Sequence, residues 1–237
     1  MPKILYVIHT SPKRIDFVKK YMIPCFKRYG IENIKVWNDV EMIGQLRAWT
    51  DCARWIISEK SDYEGTWHLE DDVIPCKDFK ALSETLPQTA DIIQGFITEN
   101  KLFDFNGKTG VTSVKDLPYG TQCIYIPNRF LQGFVKFFDE VVSTGDYRAR
   151  QFNCGTLYAD NVFRGYMRRY HNDVTVNNLD SCMVEHIDYL IGGRSVKKQV
   201  LHDTKARKFD NYYEVVRLKV WTDFIREAEN GKTENRD

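Results

Sequence analysis

Thr66-Trp67-His68-Leu69-Glu70-Asp71-Asp72-Val73-Ile74-Pro75 runs an apolar approach straight into three consecutive carboxylates, then returns to apolar residues and a proline. Adjacent negative charges repel one another, and Val73-Ile74 argue against a freely solvated tail. In a strand, side chains alternate faces, so Glu70 and Asp72 are expected to point one way and Asp71 the other. Two carboxylates converging at the end of a buried strand make a hard-oxygen site for Mg²⁺ or Mn²⁺. The competing reading is an acidic β-turn leading into Pro75. The triplet alone does not decide between them.

Upstream, Lys3-Ile4-Leu5-Tyr6-Val7-Ile8-His9 is a nearly continuous apolar run, the pattern of a central strand covered on both faces. It breaks at Thr10-Ser11-Pro12-Lys13-Arg14. Phe17, Val18, Tyr21, Met22 and Phe26 then recur at helical spacing up to Gly30, with Pro24 expected to kink or divide the helix. Ile34-Lys35-Val36-Trp37 reads as a second strand. Strand, helix, strand over residues 3–37 is a βαβ unit, whose strands are parallel. Ligands bind at the carboxyl ends of such strands, which selects Thr10 to Arg14 and Asn38-Asp39. A helix is predicted from Gly44 to Lys60, and the acidic triplet then ends the third strand.

Downstream, a helix is expected over Phe79–Leu86 and strands at Ile92–Ile97 and Thr121–Pro127, with a hairpin or loop over 98–118. Asn128 is expected to cap a helix carrying Phe130, Leu131, Phe134, Val135, Phe137 and Phe138. A helix is expected from Ala159 to Tyr170, with short strands at Val174–Val176 and Cys182–His186. An amphipathic helix from Asn211 to Glu229 and a polar tail complete the chain. No linker or repeat divides it. The expected fold class is α/β, with a mixed, mostly parallel sheet flanked by helices over 1–210 and the terminal helix and tail, 211–237, belonging to the same domain.

At 237 residues the chain can bury a substantial core. Aromatic residues reach 14%, which predicts packed ring layers and surfaces able to stack on rings. The net charge of +1 excludes a general polycation, so a nucleic-acid partner would have to be met by a local patch. Lys and Arg outnumber Asp and Glu over residues 148–208, where Arg164, Arg168, Arg169, Lys197, Lys198, Arg207 and Lys208 interleave with tyrosines. That stretch suits a diphosphate, a nucleic-acid backbone or simply water. Six cysteines without a Cys-x-x-Cys pair argue against a zinc ribbon or disulfide framework. With no membrane-length apolar run and no signal peptide before the first strand, the expected location is cytoplasmic.

His186 ends the apolar stretch Ser181-Cys182-Met183-Val184-Glu185-His186, just before Gly192-Gly193-Arg194. A lone histidine is more often structural. Joined to the triplet, it would complete a carboxylate and imidazole set suited to Mn²⁺ or Mg²⁺ shared with a diphosphate.

With these residues in view, Glu70-Asp71-Asp72 after a hydrophobic strand resembles the Asp-x-Asp motif of GT-A (Rossmann-like) glycosyltransferases. The segment ending in His186 is similar to their C-terminal metal-binding histidine, and the phrase His68 to Cys76 is similar to small bacteriophage glycosyltransferases. The resemblance covers roughly residues 3–200. It implies metal-dependent transfer of a sugar from a nucleoside diphosphate sugar, UDP-linked, to a hydroxyl. Asp72 would be the main metal ligand, Glu70 would support it or touch the ribose, and His186 would complete the set. Asp71 and Thr10 would lie toward the nucleotide, Asp39 toward base or ribose, and Arg14 toward base or phosphate. Lys205, in Lys205-Ala206-Arg207-Lys208, would close over the donor phosphates. Asp160, opening a helix, matches the position of the catalytic base, although it is followed by Asn161 where two acids are usual, and a helix-start carboxylate explains it as well.

The phage-like phrase implies a hydroxymethylated base in viral DNA as acceptor, held through the basic 148–208 region. A lipopolysaccharide or other glycan is the rival. A nucleotidyltransferase would need a glycine-rich loop after the first strand, and none is present at His9 to Arg14. A non-catalytic nucleic-acid-binding module would leave the acidic triplet without a purpose.

Overall fold

The computed structural model describes residues 3–96, 109–117, 120–143, 158–179 and 182–187. The expected terminal helix and tail over 211–237, the Gly192-Gly193-Arg194 loop, Lys205, and the basic residues from Arg194 to Lys208 lie outside the described residues.

The apolar run at the start of the chain becomes β1 (Ile4–Thr10), and its side chains alternate between two cores. Leu5 and Val7 join one cluster, while Tyr6 and Ile8 join the other. That two-sided burial puts β1 in the interior of the sheet, as the absence of polar alternation predicts. β2 (Ile34–Asn38) pairs with one edge of β1 and β3 (Gly65–Glu70) with the other, both parallel. Thr10, Asn38 and Glu70 therefore end at the same edge of the sheet.

Beyond β3 the sheet continues through β7 (Cys123–Pro127), β5 (Ile92–Gln94), β8 (Thr175–Asn178) and β6 (Gly110–Ser113), in the order β2-β1-β3-β7-β5-β8-β6. The β3–β7, β5–β7 and β6–β8 pairings are antiparallel, so the sheet is mixed and parallel pairing covers half of its ladders rather than most. Because β7 runs against β3, its first residues arrive at the same edge where the parallel strands end. A separate two-stranded ladder joins β4 (Val73–Pro75) to β9 (Val184–His186).

Helices cover both faces. α1 comprises Ile15–Phe17, a π-helical stretch Val18–Met22, and Ile23–Arg28. Pro24 does not divide the helix. The Ile23 N–H reaches back five residues to the Val18 carbonyl, and this wider turn accommodates the ring where an α-turn would not. α2 (Gln45–Glu59), α4 (Asn128–Phe137) and α5 (Ala159–Tyr170) cover the opposite face from α1 and α3 (Phe79–Thr85). The aromatic content is spent here. Phe134 of α4 meets Trp49 of α2 edge-on at 5.3 Å between centroids, and meets Phe163 and Tyr166 of α5 at 5.5 and 5.8 Å. Such tilted pairs contribute about 0.5–1.5 kcal/mol each beyond the area they bury.

Asn128 is not the cap of α4. It is the first helical residue, and its amide accepts from Thr66 Oγ1 at 2.8 Å and donates to the Tyr63 carbonyl at 2.9 Å, tying the helix to the start of β3. The basic stretch also departs from a solvated face. Arg164 is buried against the core, and Arg168 donates to the carbonyls of Lys115 and Leu117. Among the described residues, Cys25, Cys52, Cys76, Cys123 and Cys182 are buried free thiols. No helix among the described residues is long and apolar enough to cross a membrane.

Candidate metal centre and nucleotide cleft

The ends of β1, β2 and β3 and the residues before β7 enclose a cleft of about 500 Å³. His9, Thr10, Ser11, Arg14, Trp37 and Asp39 line it from the first βαβ unit. Gln45, Ala48 and Trp49 of α2, the acidic triplet, Thr121 and Tyr158 complete the wall. This is the position that topology assigns to a ligand in an open parallel arrangement.

Glu70 is the last residue of β3, and the turn of Asp71 and Asp72 follows before β4 begins. Strand alternation thus ends at Glu70, and Asp71 is not turned away. All three carboxylates line the cleft. Asp71 accepts from Thr10 Oγ1 at 2.9 Å and from Arg14 Nη1 at 2.8 Å. The same Arg14 nitrogen donates to Asp72 Oδ2, also at 2.8 Å. A tight turn carries Arg14 into place, since the Ser11 carbonyl accepts from the N–H of both Arg14 and Ile15.

His186 reaches the triplet through backbone pairing. In the β4–β9 ladder it stands opposite Val73, and the next N–H, that of Ile187, donates to the Asp72 carbonyl at 2.7 Å. Its Nε2 then lies 3.3 Å from Asp72 Oδ2. Glu70, Asp72 and His186 each present a ligand atom within 4.8 Å of the others. The set fits a divalent cation in composition: two carboxylates and an imidazole suit Mn²⁺ or Mg²⁺ and leave positions open for other oxygens. Asp72 Oδ1 supplies a second sign. It is buried and has no hydrogen-bond partner among the described residues, a costly arrangement for a carboxylate oxygen that nothing coordinates.

The electrostatics follow from enclosure and crowding. Enclosure at the cleft floor, then the Asp72 charge, push the Glu70 carboxyl up to about 7 against the pull of Thr121 and His186. Burial likewise raises Asp71, with Asp72 adding to it and Arg14 opposing. For Asp72 burial acts upward, but His186 and Arg14 together outweigh it and hold the group below the ordinary carboxylate range. Thr121 Oγ1 donates to Glu70 Oε1, and Gln45 Nε2 stands 3.4 Å from the same oxygen.

Beneath the acids lies a pair that the sequence reading did not single out. His9 Nε2 and His68 Nδ1 are 2.9 Å apart, with Trp49 against both rings and Cys52 Sγ 3.8 Å from His9 Nε2. Burial holds His9 near 3 and His68 well below its ordinary value, so both imidazoles are neutral at pH 7. His9 lines the cleft and the fully buried His68 backs it, so this part of the wall is uncharged.

Of the residues selected from the sequence, Thr10, Arg14, Asp39, Glu70, Asp71 and Asp72 line the cleft, and His186 joins Glu70 and Asp72. Asp39 Oδ1 also accepts the Ile43 N–H at 3.1 Å, which fixes the turn after β2. Asp160 stands in the first turn of α5, where its Oδ1 accepts the Asn161 N–H at 2.8 Å. It is not among the cleft-lining residues, although Tyr158, two positions earlier, is. Thr121, Gln45 and the His9–His68 pair came from outside the sequence reading. Thr121 and His9 stand beside strand ends whose pairing is non-local, while Gln45 opens α2 and His68 lies within β3, where no local pattern marks them.

No protein-family model matches the chain, and no curated protein sequence matches it. Several solved structures are similar in backbone course. A glycosyltransferase involved in glycosylation of the major capsid of PBCV-1 has a TM-score of 0.43 at 12% identity, over 75% of this chain and 82% of that one. The glycosyltransferase GlyE of Streptococcus pneumoniae TIGR4 gives 0.44 at 12% identity, over 97% of this chain and 65% of that one. A Drosophila β-1,4-galactosyltransferase 7 variant in complex with manganese, UDP-Gal and xylobiose gives 0.40 at 12% identity, over 90% and 79%. What this protein does has to be read from its own site.

Proposed function

We propose that the protein is a metal-dependent glycosyltransferase that moves a sugar from a nucleoside diphosphate sugar, UDP-linked, to a hydroxyl acceptor. One observation carries the reading: Glu70, Asp72 and His186 converge within 4.8 Å at a cleft whose other walls include Trp37, Trp49 and Asp39. A hard-ligand cluster beside a ring-lined slot suits a molecule with a diphosphate at one end of a nucleoside.

When bound, Mn²⁺ or Mg²⁺ supplies positive charge against the negative charge that grows on a departing diphosphate, worth about 4 kcal/mol per unit pair at 4 Å and an effective dielectric near 20. The chain's own residues do the rest. Asp72 and His186 are fixed by the β4–β9 ladder before any ligand arrives. Thr121 orients Glu70. Arg14, which lines the cleft with about a quarter of its side chain exposed, is placed to meet phosphate oxygens. Trp37 lines the wall on which a base would rest, with the largely buried Trp49 behind it, and Asp39 offers a carboxylate to base or ribose. Asp160 is the proposed general base toward the acceptor hydroxyl, approached from the Tyr158 side of the cleft.

For the acceptor, a hydroxymethylated base in viral DNA and a glycan are the two candidates. The inward commitments of Arg164 and Arg168 remove two cations from a nucleic-acid grip, which favours the glycan. The test is incubation with a panel of nucleotide sugars, with and without EDTA, scoring nucleoside diphosphate release. Hydroxymethylated DNA, ordinary DNA and oligosaccharides serve as acceptors, and products are read by mass spectrometry. Release from one donor that EDTA abolishes supports the reading, and no turnover of any donor with any divalent cation contradicts it.

A further inference from the structure

The metal-site reading gives Arg14 a second task. One nitrogen, Nη1, donates at 2.8 Å to both Asp71 Oδ1 and Asp72 Oδ2. Asp72 Oδ2 is also the oxygen that faces His186 Nε2 at 3.3 Å. The guanidinium charge thus sits against the ligand cluster itself, while Asp72 Oδ1, on the same carboxylate, has no hydrogen-bond partner among the described residues. Arg14 is about a quarter exposed, whereas the Asp72 side chain is nearly enclosed, so Arg14 is the partner that an incoming ligand reaches more readily.

We infer that Arg14 is an internal counter-cation that competes with the divalent metal for Asp72 and is released to the donor diphosphate when the two ligands bind together. The inference rests on the metal-dependent reading above and extends it to regulation of the same site. A cation entering alone meets a carboxylate already neutralised by a guanidinium, and displacing Arg14 costs that guanidinium its contact with Asp72. A diphosphate arriving alone finds Arg14 committed to two carboxylates. When both arrive, Asp72 exchanges one positive partner for another and Arg14 exchanges Asp72 for phosphate oxygens, which guanidinium binds well. Each ligand then raises the affinity for the other by the same factor. The arrangement keeps the site from capturing free metal before the donor is present.

The experiment is calorimetric titration with Mn²⁺ alone, and with Mn²⁺ in saturating UDP, at pH 8. It compares wild type, Arg14→Gln and Arg14→Lys, with Arg14→Met as a second neutral variant should Gln disturb folding. Wild type and Arg14→Lys are expected to bind Mn²⁺ alone weakly and at least about tenfold more tightly with UDP, a factor of ten being about 1.4 kcal/mol of coupling. Arg14→Gln is expected to bind Mn²⁺ alone roughly tenfold more tightly than wild type, with its coupling to UDP reduced by a similar factor. A merely structural arginine predicts weaker binding in every variant. If wild type binds Mn²⁺ and the neutral variants bind it no more tightly, this inference is overturned while the metal site stands. If no protein binds Mn²⁺ with or without UDP, the metal reading falls and takes the inference with it.

Discussion

His186 Nε2 lies 3.3 Å from Asp72 Oδ2, although the two residues are more than a hundred positions apart in the chain. Backbone makes the meeting. Val73 pairs with His186 across a two-stranded ladder, and the Ile187 N–H closes on the Asp72 carbonyl at 2.7 Å. Main-chain register thus preorganises these two side chains, and a cation held as proposed would not have to gather them.

That register can be attacked without touching a ligand. Ile187→Pro removes the N–H that binds the Asp72 carbonyl. Loss of a buried hydrogen bond is expected to cost about 1–3 kcal/mol, and Mn²⁺ affinity should fall roughly 10–100-fold, as for the loss of an outer-shell support. Thermal melting and Mn²⁺ titration of the folded variant read both effects. Unchanged affinity would mean that the ladder does not position His186.

Glu70 carries a pH signature. Its carboxyl is held up to about 7 in the metal-free protein by enclosure and by Asp72, against an ordinary value of 4.5. The folded state therefore keeps a proton that the unfolded chain releases, and the stability this confers is full below about pH 4.5 and lost as pH rises through 7. The loss is at most about 3 kcal/mol. Metal-free Glu70→Gln, which has no such proton to lose, should gain on wild type progressively from pH 4.5 to 7 and melt higher at pH 8. A constant gap in melting temperature across that range would refute the assignment.

The His9–His68 pair acts at the other end of the scale. His9 is held near 3 by burial, so its neutral form contributes stability above pH 6.5 that is lost as pH falls toward 3, about 5 kcal/mol at most. His68 moves in the same direction. Urea midpoints of wild type should decline below pH 6.5, and His9→Gln should show a shallower decline. Parallel acid limbs in the two proteins would show that the imidazole does not bear this load.

Packing behind the cleft gives a prediction independent of any ligand. A Cβ at Gly133 of α4 would stand 2.1 Å from the Tyr166 hydroxyl of α5, and that hydroxyl also meets His171 Nε2 at 2.8 Å. Gly133→Ala should cost about 1–3 kcal/mol through overpacking. Adding Tyr166→Phe removes the clashing oxygen, so the double variant should be more stable than the sum of the single losses predicts. Additive losses in denaturant unfolding would contradict the contact.

The βαβ start, the strand running into the acids and the histidine segment were legible because each is a local pattern. A continuous apolar run marks a strand covered on both faces, and β1 is buried on both. Asp71 turns toward the cleft for a local reason as well: alternation holds only while the strand lasts, and β3 ends at Glu70. Thr121 could not be read at all. It reaches Glu70 because β7 pairs antiparallel with β3, bringing Gln122 to the Glu70 N–H, a long-range pairing that no local spacing encodes. The bond of Arg14 to two acids has the same origin, in the parallel pairing of β1 with β3. Pro24 looked like a break because sequence pattern carries no register for a π-turn.

In the proposed site, Asp72 with Glu70 and His186 would hold one divalent cation, and Asp71 would not. The most direct measurement is the stoichiometry and affinity of Mn²⁺ binding, followed by the electron spin resonance of free Mn²⁺ in the presence of UDP, for wild type, Asp72→Asn and Asp71→Asn with folding checked by circular dichroism. One ion bound to wild type, loss beyond the roughly 100-fold ceiling of an outer-shell change in Asp72→Asn, and near-normal binding in Asp71→Asn is the predicted result. Wild-type affinity in Asp72→Asn, or selective loss in Asp71→Asn, would contradict it.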